Sequence, residues 1–327
     1  LATLTGLPVA ANEVTAGLEQ EARRAATEAL AVDLIVAAAT ERPLVIVLDD
    51  CQWLDPLARD LLVAVARRCA SLPVLLVLAY RSAPAAHEDW LAPLHAAQFA
   101  RLHELRLGNL APAEAATLVA QEVRRHYGPA SAIPAPLIER VLEQTQGNPC
   151  FIVELVRYLH ARGIAPLDAA HDSLELPASL HDLVQRRIEQ LDGNARTVIE
   201  VASVLGQEFN PNWLAGIYPD NQAKAQLDRG LAELQRSELA GPGHNGREPA
   251  YLFRHVITRE VAYERLTPAL RSELHARVGS FIEQTYANDL ERFVEVLAHH
   301  YSRSDNREKQ REYLLRAGIA AQTAFAN

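Results

Sequence analysis

The chain has 327 residues, 49% of them hydrophobic and 22% charged, enough for two or three globular domains at about 100–200 residues each. Its formal net charge of −9, spread through interspersed acids and bases, excludes a general electrostatic attraction to nucleic acid or anionic lipid. No apolar run reaches the roughly 18 residues of a membrane span and none has the form of a signal peptide, so the composition predicts a cytoplasmic protein without a membrane partner.

In chain order, residues 13–40 carry apolar side chains at helical intervals among many alanines, which predicts one long helix or two consecutive ones ending at Arg42-Pro43. LVIVL (44–48) reads as a strand covered on both faces of a parallel sheet. Asp55 then looks like an N-cap with Pro56 at the first helical position, and Leu57, Leu61, Leu62, Val65 and Cys69 share one side of the helix that follows. VLLVLA (74–79) is a second buried strand, so 44–79 forms one βαβ unit. HELRL (103–107) is a weaker third strand. Pro112 opens a helix that Gly128 closes, and the pattern stays helical to 165 with QGNPC (146–150) as a turn between two helices. Residues 175–209 predict two amphipathic helices parted at Asp192-Gly193, with a third around 221–236. Residues 238–256 predict a β-hairpin with a Gly/Pro/Asn tip, and three helices with a hairpin suggest a winged helix. Residues 257–327 return to helices, ending in small residues at close spacing that resemble the first helix of a tetratricopeptide-type repeat.

The domain reading is therefore 1–108 as a partial α/β core, 109–170 as a helical lid, 171–265 as a winged-helix-like domain and 266–327 as helices leading into repeats. The fold class is mainly α with an α/β part. Cys51, Cys69 and Cys150 are odd in number and scattered, which suits neither a disulfide framework nor a zinc site and predicts reduced, mostly buried thiols. The adjacent His299 and His300 would point about 100° apart on a helix, so they read as a solvated or packed pair rather than metal ligands.

The chemistry concentrates at the end of the first strand, where Asp49 and Asp50 stand together with no basic residue beside them. Ligands of open parallel sheets bind at the carboxyl ends of the strands. One carboxylate there can hold Mg²⁺ while its neighbour orients or deprotonates the water that attacks a phosphoryl group. The alternative is a pair of solvated aspartates capping a strand-to-helix turn.

LVIVLDDCQWLDPLARDLL resembles the Walker B segment of the signal transduction ATPases with numerous domains, the STAND group, in the wording found in multidomain bacterial adenylate cyclases and large transcriptional activators. Cys51 and Gln52 depart from the common Leu and His, and Asp50 is one methylene shorter than the glutamate often found there. VLLVLAYRS (74–82) resembles the sensor 1 strand, which implies that Arg81 reaches the γ-phosphate. QGNPCFIVELVRYL (146–159) resembles the GNP-F-x-x-EL motif of the helical lid, implying that Gly147, Asn148 and Pro149 lie against adenine. YLFRHVITREVAYERLTPALRSELH (251–275) resembles the winged-helix stretch in which His255 would contact the β-phosphate of ADP. Taken together, the resemblance implies ATP and ADP with Mg²⁺ as cofactors, Asp49 as metal ligand, Asp50 and Arg81 as catalytic groups, and protein partners on TPR-like repeats. It also implies the C-terminal portion of a P-loop NTPase sheet.

A P-loop, G-x-x-x-x-G-K-[ST], is missing, and the only lysines, Lys224 and Lys309, do not follow a glycine. With Leu1 first and no methionine, the expectation is that a P-loop, and in some relatives cyclase domains, precede this stretch, and that these residues alone bind nucleotide weakly. A non-catalytic protein-interaction scaffold is the alternative. DNA binding through 221–236 is disfavoured, because three cations against two acids make poor phosphate contacts.

Overall fold

In the computed structural model, which describes residues 20–81, Leu94, 102–170, 174–218, 224–243 and 249–325, contacts divide the chain into two units. One comprises Leu1–Arg106 with Ala320–Asn327, the other Leu107–Ile319. The predicted helical stretch 13–19 and the tip of the predicted hairpin, 244–248, lie outside the described residues.

In the first unit, helix α1 (Gln20–Glu41) stops before Pro43, because the residue ahead of a proline is pushed out of helical space. Strand β1 (Leu44–Leu48) follows, then a short 3₁₀ turn (Cys51–Trp53), helix α2 (Pro56–Cys69) and strand β2 (Val74–Leu78). Asp55 caps α2 as expected, its carboxylate accepting the Ala58 N–H at 2.8 Å with Pro56 at the first helical position. β1 and β2 pair in parallel, Leu44 opposite Val74 through Leu48 opposite Leu78, which makes the predicted βαβ unit.

The strands are not covered on both faces. Val45, Val47 and Leu75 stand 62%, 62% and 58% exposed, while Leu48, Leu76 and Leu78 pack against Leu62 and Val63 of α2. Val74 packs beside Val65 and Cys69 of α2 and Val32 of α1. Side chains alternate across a strand, so helices on one side bury every second residue and leave the others open. HELRL forms no strand either: it has no ladder partner among the described residues, and Leu105 and Leu107 are exposed.

The second unit is helical, with one small sheet. Helices α3 (Pro112–Tyr127), α4 (Ala135–Thr145), α5 (Pro149–Ala161) and the short α6 (Pro166–Ala169) surround a core of Val119, Val123, Leu137, Val141, Ile152 and Leu155. Helix α7 (Leu180–Gln190) places Leu183 in that core and Val184 and Ile188 in the next, so it belongs to both. Helix α8 (Gly193–Leu205) begins where Asp192 accepts the Ala195 N–H at 2.7 Å, at the expected Asp-Gly break. Next come strand β3 (Glu208–Phe209), helices α9 (Pro211–Ile217) and α10 (Lys224–Arg236), and strands β4 (Ala240–Pro242) and β5 (Tyr251–Phe253).

β4 and β5 form the predicted hairpin, and β3, which periodicity did not reveal, pairs with the other edge of β5. Helices α11 (Val256–Arg265), α12 (Pro268–Thr285), α13 (Val294–Ser302) and α14 (Arg307–Phe325) complete the chain. No helix among the described residues is long and apolar enough to cross a membrane.

His300 is buried and hydrogen-bonded through Nδ1 to His275 Nδ1 at 2.9 Å, while His299 on the same helix is exposed, so the pair expected to be solvated or packed is divided between the two. Cys51 and Cys69 are buried free thiols and Cys150 is a half-buried one.

Candidate functional site

Each unit carries its own group of the residues singled out in the sequence. In the first unit, parallel pairing puts the carboxyl ends of β1 and β2 on one edge. The ladder runs past the strands, Ala79 N–H donating to Leu48 O and Cys51 N–H to Ala79 O, both at 2.9 Å. Asp49 and Asp50 therefore sit beside the segment that leads to Arg81.

Asp50 adopts a left-handed conformation (φ 53°, ψ 36°), which aspartate tolerates better than most residues, and this turns the chain sharply into the 3₁₀ turn. Asp49 Oδ1 accepts the Asp50 N–H at 2.8 Å, and Asp50 Oδ1 accepts the Gln52 amide at 2.8 Å. Gln52 Oε1 in turn accepts the Arg81 N–H at 3.1 Å. Sequence reasoning treated Gln52 only as a departure from a pattern; the structure makes it the bridge between the acidic turn and the end of β2.

Both aspartates are exposed, and neither forms an ion pair among the described residues. Each keeps one carboxylate oxygen outside these hydrogen bonds, so the turn offers hard oxygen donors of the kind Mg²⁺ takes. Among the described residues no group of three or more potential ligands gathers to hold a metal by itself. Mg²⁺ does not need one, since it is commonly held by one or two carboxylates together with phosphate oxygens and water. The residues present fit that ion.

In the second unit, Gly147, Asn148 and Pro149 form the turn into α5. Gly147 has φ 77°, and a Cβ there would lie 2.5 Å from Leu110 O, while its own carbonyl accepts the Leu110 N–H at 2.9 Å. Only glycine fits so close an approach. Asn148 is the N-cap, accepting the Phe151 N–H at 3.1 Å, and Pro149 takes the first helical position.

His255 stands just before α11 and meets α5 one turn inward. Its Nε2 is 3.3 Å from Glu154 Oε1 and its Nδ1 is 3.9 Å from Cys150 Sγ. Glu154 is 1% exposed and is met by two guanidiniums and an imidazole: Arg157 of its own helix with Nη1 2.6 Å from Oε1, Arg187 of α7 against Oε2, and the His255 ring. Arg157 Nη2 reaches Glu238 Oε2 at 2.8 Å, and Arg187 also donates to Ser237 O after α10. Burial pulls the Arg187 guanidinium down to about 10, against the opposing pull of the Glu238 charge.

Arg157, Arg187 and Glu238 were not singled out from the sequence, Glu154 entered only as the acid of the GNP-F-x-x-EL motif, and Cys150 was read only as a reduced thiol. One signal was legible for Glu154, a lone carboxylate within the apolar stretch FIVELV of a helix whose surroundings bury on nearly every side.

With the geometry described, the fold can be placed. The structure of a signal transduction ATPase with numerous domains (STAND) protein with a tetratricopeptide repeat sensor, from Pyrococcus horikoshii, matches with a TM-score of 0.54 and 14% identity over 90% of this chain and 39% of that one. The likeness is one of fold: mainly α, with an α/β part, as in that STAND protein. No family model matches the sequence. Among curated proteins, an uncharacterised protein of Rhizobium meliloti (strain 1021) is 27% identical over 287 residues, covering 85% of this chain and 26% of that protein. The chain thus spans well under half the length of both proteins.

Proposed function

We propose that this chain is part of a regulatory, nucleotide-dependent switch module in a larger signalling protein. The observation that carries the reading is the acidic turn: Asp49 and Asp50 at the carboxyl edge of a parallel β-pair, without a basic partner among the described residues, and joined through Gln52 to the backbone of Arg81. The resemblance of the pattern to STAND ATPases and the fold of the Pyrococcus horikoshii protein support it.

In this reading Asp49 holds Mg²⁺, which would neutralise charge on the phosphates of ATP, and Asp50 orients the attacking water. Gln52 holds Asp50 in its left-handed turn. Arg81 follows the sensor strand and faces the γ-phosphate. For the second unit taken by itself, the resemblance assigns the Gly147–Pro149 turn to adenine and His255 to the β-phosphate of ADP, a contact the ring makes when Nδ1 carries a proton. ATP and ADP then favour different arrangements of one bistable protein, so hydrolysis resets a switch rather than making a product.

The test uses the protein as its gene encodes it. Asp49→Asn and Asp50→Asn should each leave folding intact and lower ATP turnover on the order of 10²-fold, the scale of losing a positioned charge or base. Unchanged turnover and unchanged signalling output in both variants would sink the reading and leave a protein-interaction scaffold. One observation favours that alternative: Leu314 and Leu315 on α14 are 48% and 63% exposed, apolar surface suited to a partner or a following repeat.

A further inference from the structure

Cys150 and Glu154 lie four residues apart on α5 and so share one face of the helix, and His255 stands against both. The order of contacts is sulfur, imidazole, carboxylate. Glu154 is buried between two guanidiniums, and its Oε1 faces His255 Nε2. The two are in charge contact at 3.3 Å, and the negative charge on that side favours the neutral tautomer with its proton on Nε2. That leaves the lone pair of Nδ1 turned to Cys150 Sγ, 3.9 Å away. This is the arrangement of a nucleophile beside a base that a third group orients, at the looser spacing common when no reactant is bound.

The other two thiols have no such surroundings. Cys51 is fully buried, donates from Sγ to Leu48 O at 3.2 Å, and burial pushes its thiol up. Burial pushes Cys69 up as well. Cys150 is half-buried, within reach of a small reagent, in the first turn of a 13-residue helix whose free N–H groups favour negative charge.

We propose that Cys150 is a modification site, a thiol made reactive by His255 as its base, with Glu154 as a positioning residue, and that its natural reactants are small electrophiles of the hydroperoxide class. In the reaction the sulfur attacks one peroxide oxygen, so an S–O bond forms as the O–O bond breaks. Sulfur is oxidised by two electrons to the sulfenic acid, and the hydroperoxide is reduced to an alcohol or water. The thiol proton passes through His255 Nδ1 to the leaving oxygen. The chemistry requires no nucleotide, but it uses the same His255 Nδ1 that the proposed switch turns to ADP, so the two uses of that ring exclude each other.

The test is to label the full chain with iodoacetamide, and separately with hydrogen peroxide followed by a sulfenic-acid trap, and to read each cysteine by peptide mass spectrometry from pH 5 to 9. Cys150 should react before Cys51 and Cys69, and at pH 7 roughly ten-fold or more faster than the same cysteine in the urea-unfolded chain. His255→Gln, with its urea midpoint measured alongside, should slow Cys150 about ten-fold and move the rise of its rate to higher pH, towards that of the unfolded chain. Two results overturn the proposal: Cys150 reacting no faster folded than unfolded, or folded H255Q keeping both the rate and the pH profile. The first comparison uses only the unmodified protein, so it decides the matter even where H255Q fails to fold.

Discussion

Glu154 has the most demanding surroundings of any acidic residue described in the second unit. It is 1% exposed, yet it carries the countercharge for Arg157 and Arg187 and lies 3.3 Å from the His255 ring. Charges out of water are costly unless paired, and removing one member of a buried set strands the others. Glu154→Gln keeps the shape and removes the charge, leaving Arg187 without a buried anion and Arg157 with Glu238 alone. The expected outcome is a loss of about 3 kcal/mol in unfolding free energy, seen as a lower urea midpoint with an unchanged slope. A loss below about 1 kcal/mol would show that water or Glu238 supplies the missing charge.

At the scale of elements, the βαβ unit has two unlike faces. Leu48, Leu76 and Leu78 pack against α2, while Val45 and Val47 do not and are each 62% exposed. Burial is what makes an aliphatic side chain matter to stability. Val47→Thr, which preserves β-branching, is expected to change stability by no more than about 0.5 kcal/mol, whereas Leu62→Ala on α2 should cost about 2–5 kcal/mol. Equal losses in the two variants would mean that the outer face is covered. Strand identity itself came from β-branching and from the Pro and Asp residues at its ends. Covering could not be read the same way, because a five-residue aliphatic run looks alike whether one side or both are packed.

The second unit holds a titration set by its tertiary packing. His275 of α12 and His300 of α13 are buried and hydrogen-bonded to each other, with Tyr263 Oη 3.0 Å from His275 Nε2. Burial, with the charges of His299 and Arg303, holds His275 down to about 4. Burial, followed by the charges of His275, His299 and Arg303, holds His300 lower still. Among the described residues, no carboxylate acts on either ring. In the unfolded chain both rings take up protons near the ordinary histidine value of about 6.5, and in the native one they resist. Below about 6.5 the unfolded state therefore binds more protons, and stability falls as pH drops from about 6.5 towards about 4. The slope is at most about 1.4 kcal/mol per pH unit for each ring. Urea midpoints measured at several pH values check this, and His275→Gln with His300→Gln should flatten the curve in that window.

The sequence by itself determined most of the helices, the two parallel strands and, because caps and prolines act within a few residues of themselves, the turns at Asp55-Pro56, Asn148-Pro149 and Asp192-Gly193, though not β3 or α9. It also determined that Asp49 and Asp50 end a strand. It misjudged HELRL, since alternation signals a strand only where a neighbour completes the ladder. Tertiary structure alone decided that Gln52 joins Asp50 to Arg81, that Glu154 lies beneath His255, Arg157 and Arg187, and that His275 meets His300. Those partners stand between 2 and 101 residues apart in the chain. Hydrogen bonds and ion pairs of this kind depend on separations of a few ångströms that only the packing of whole helices sets.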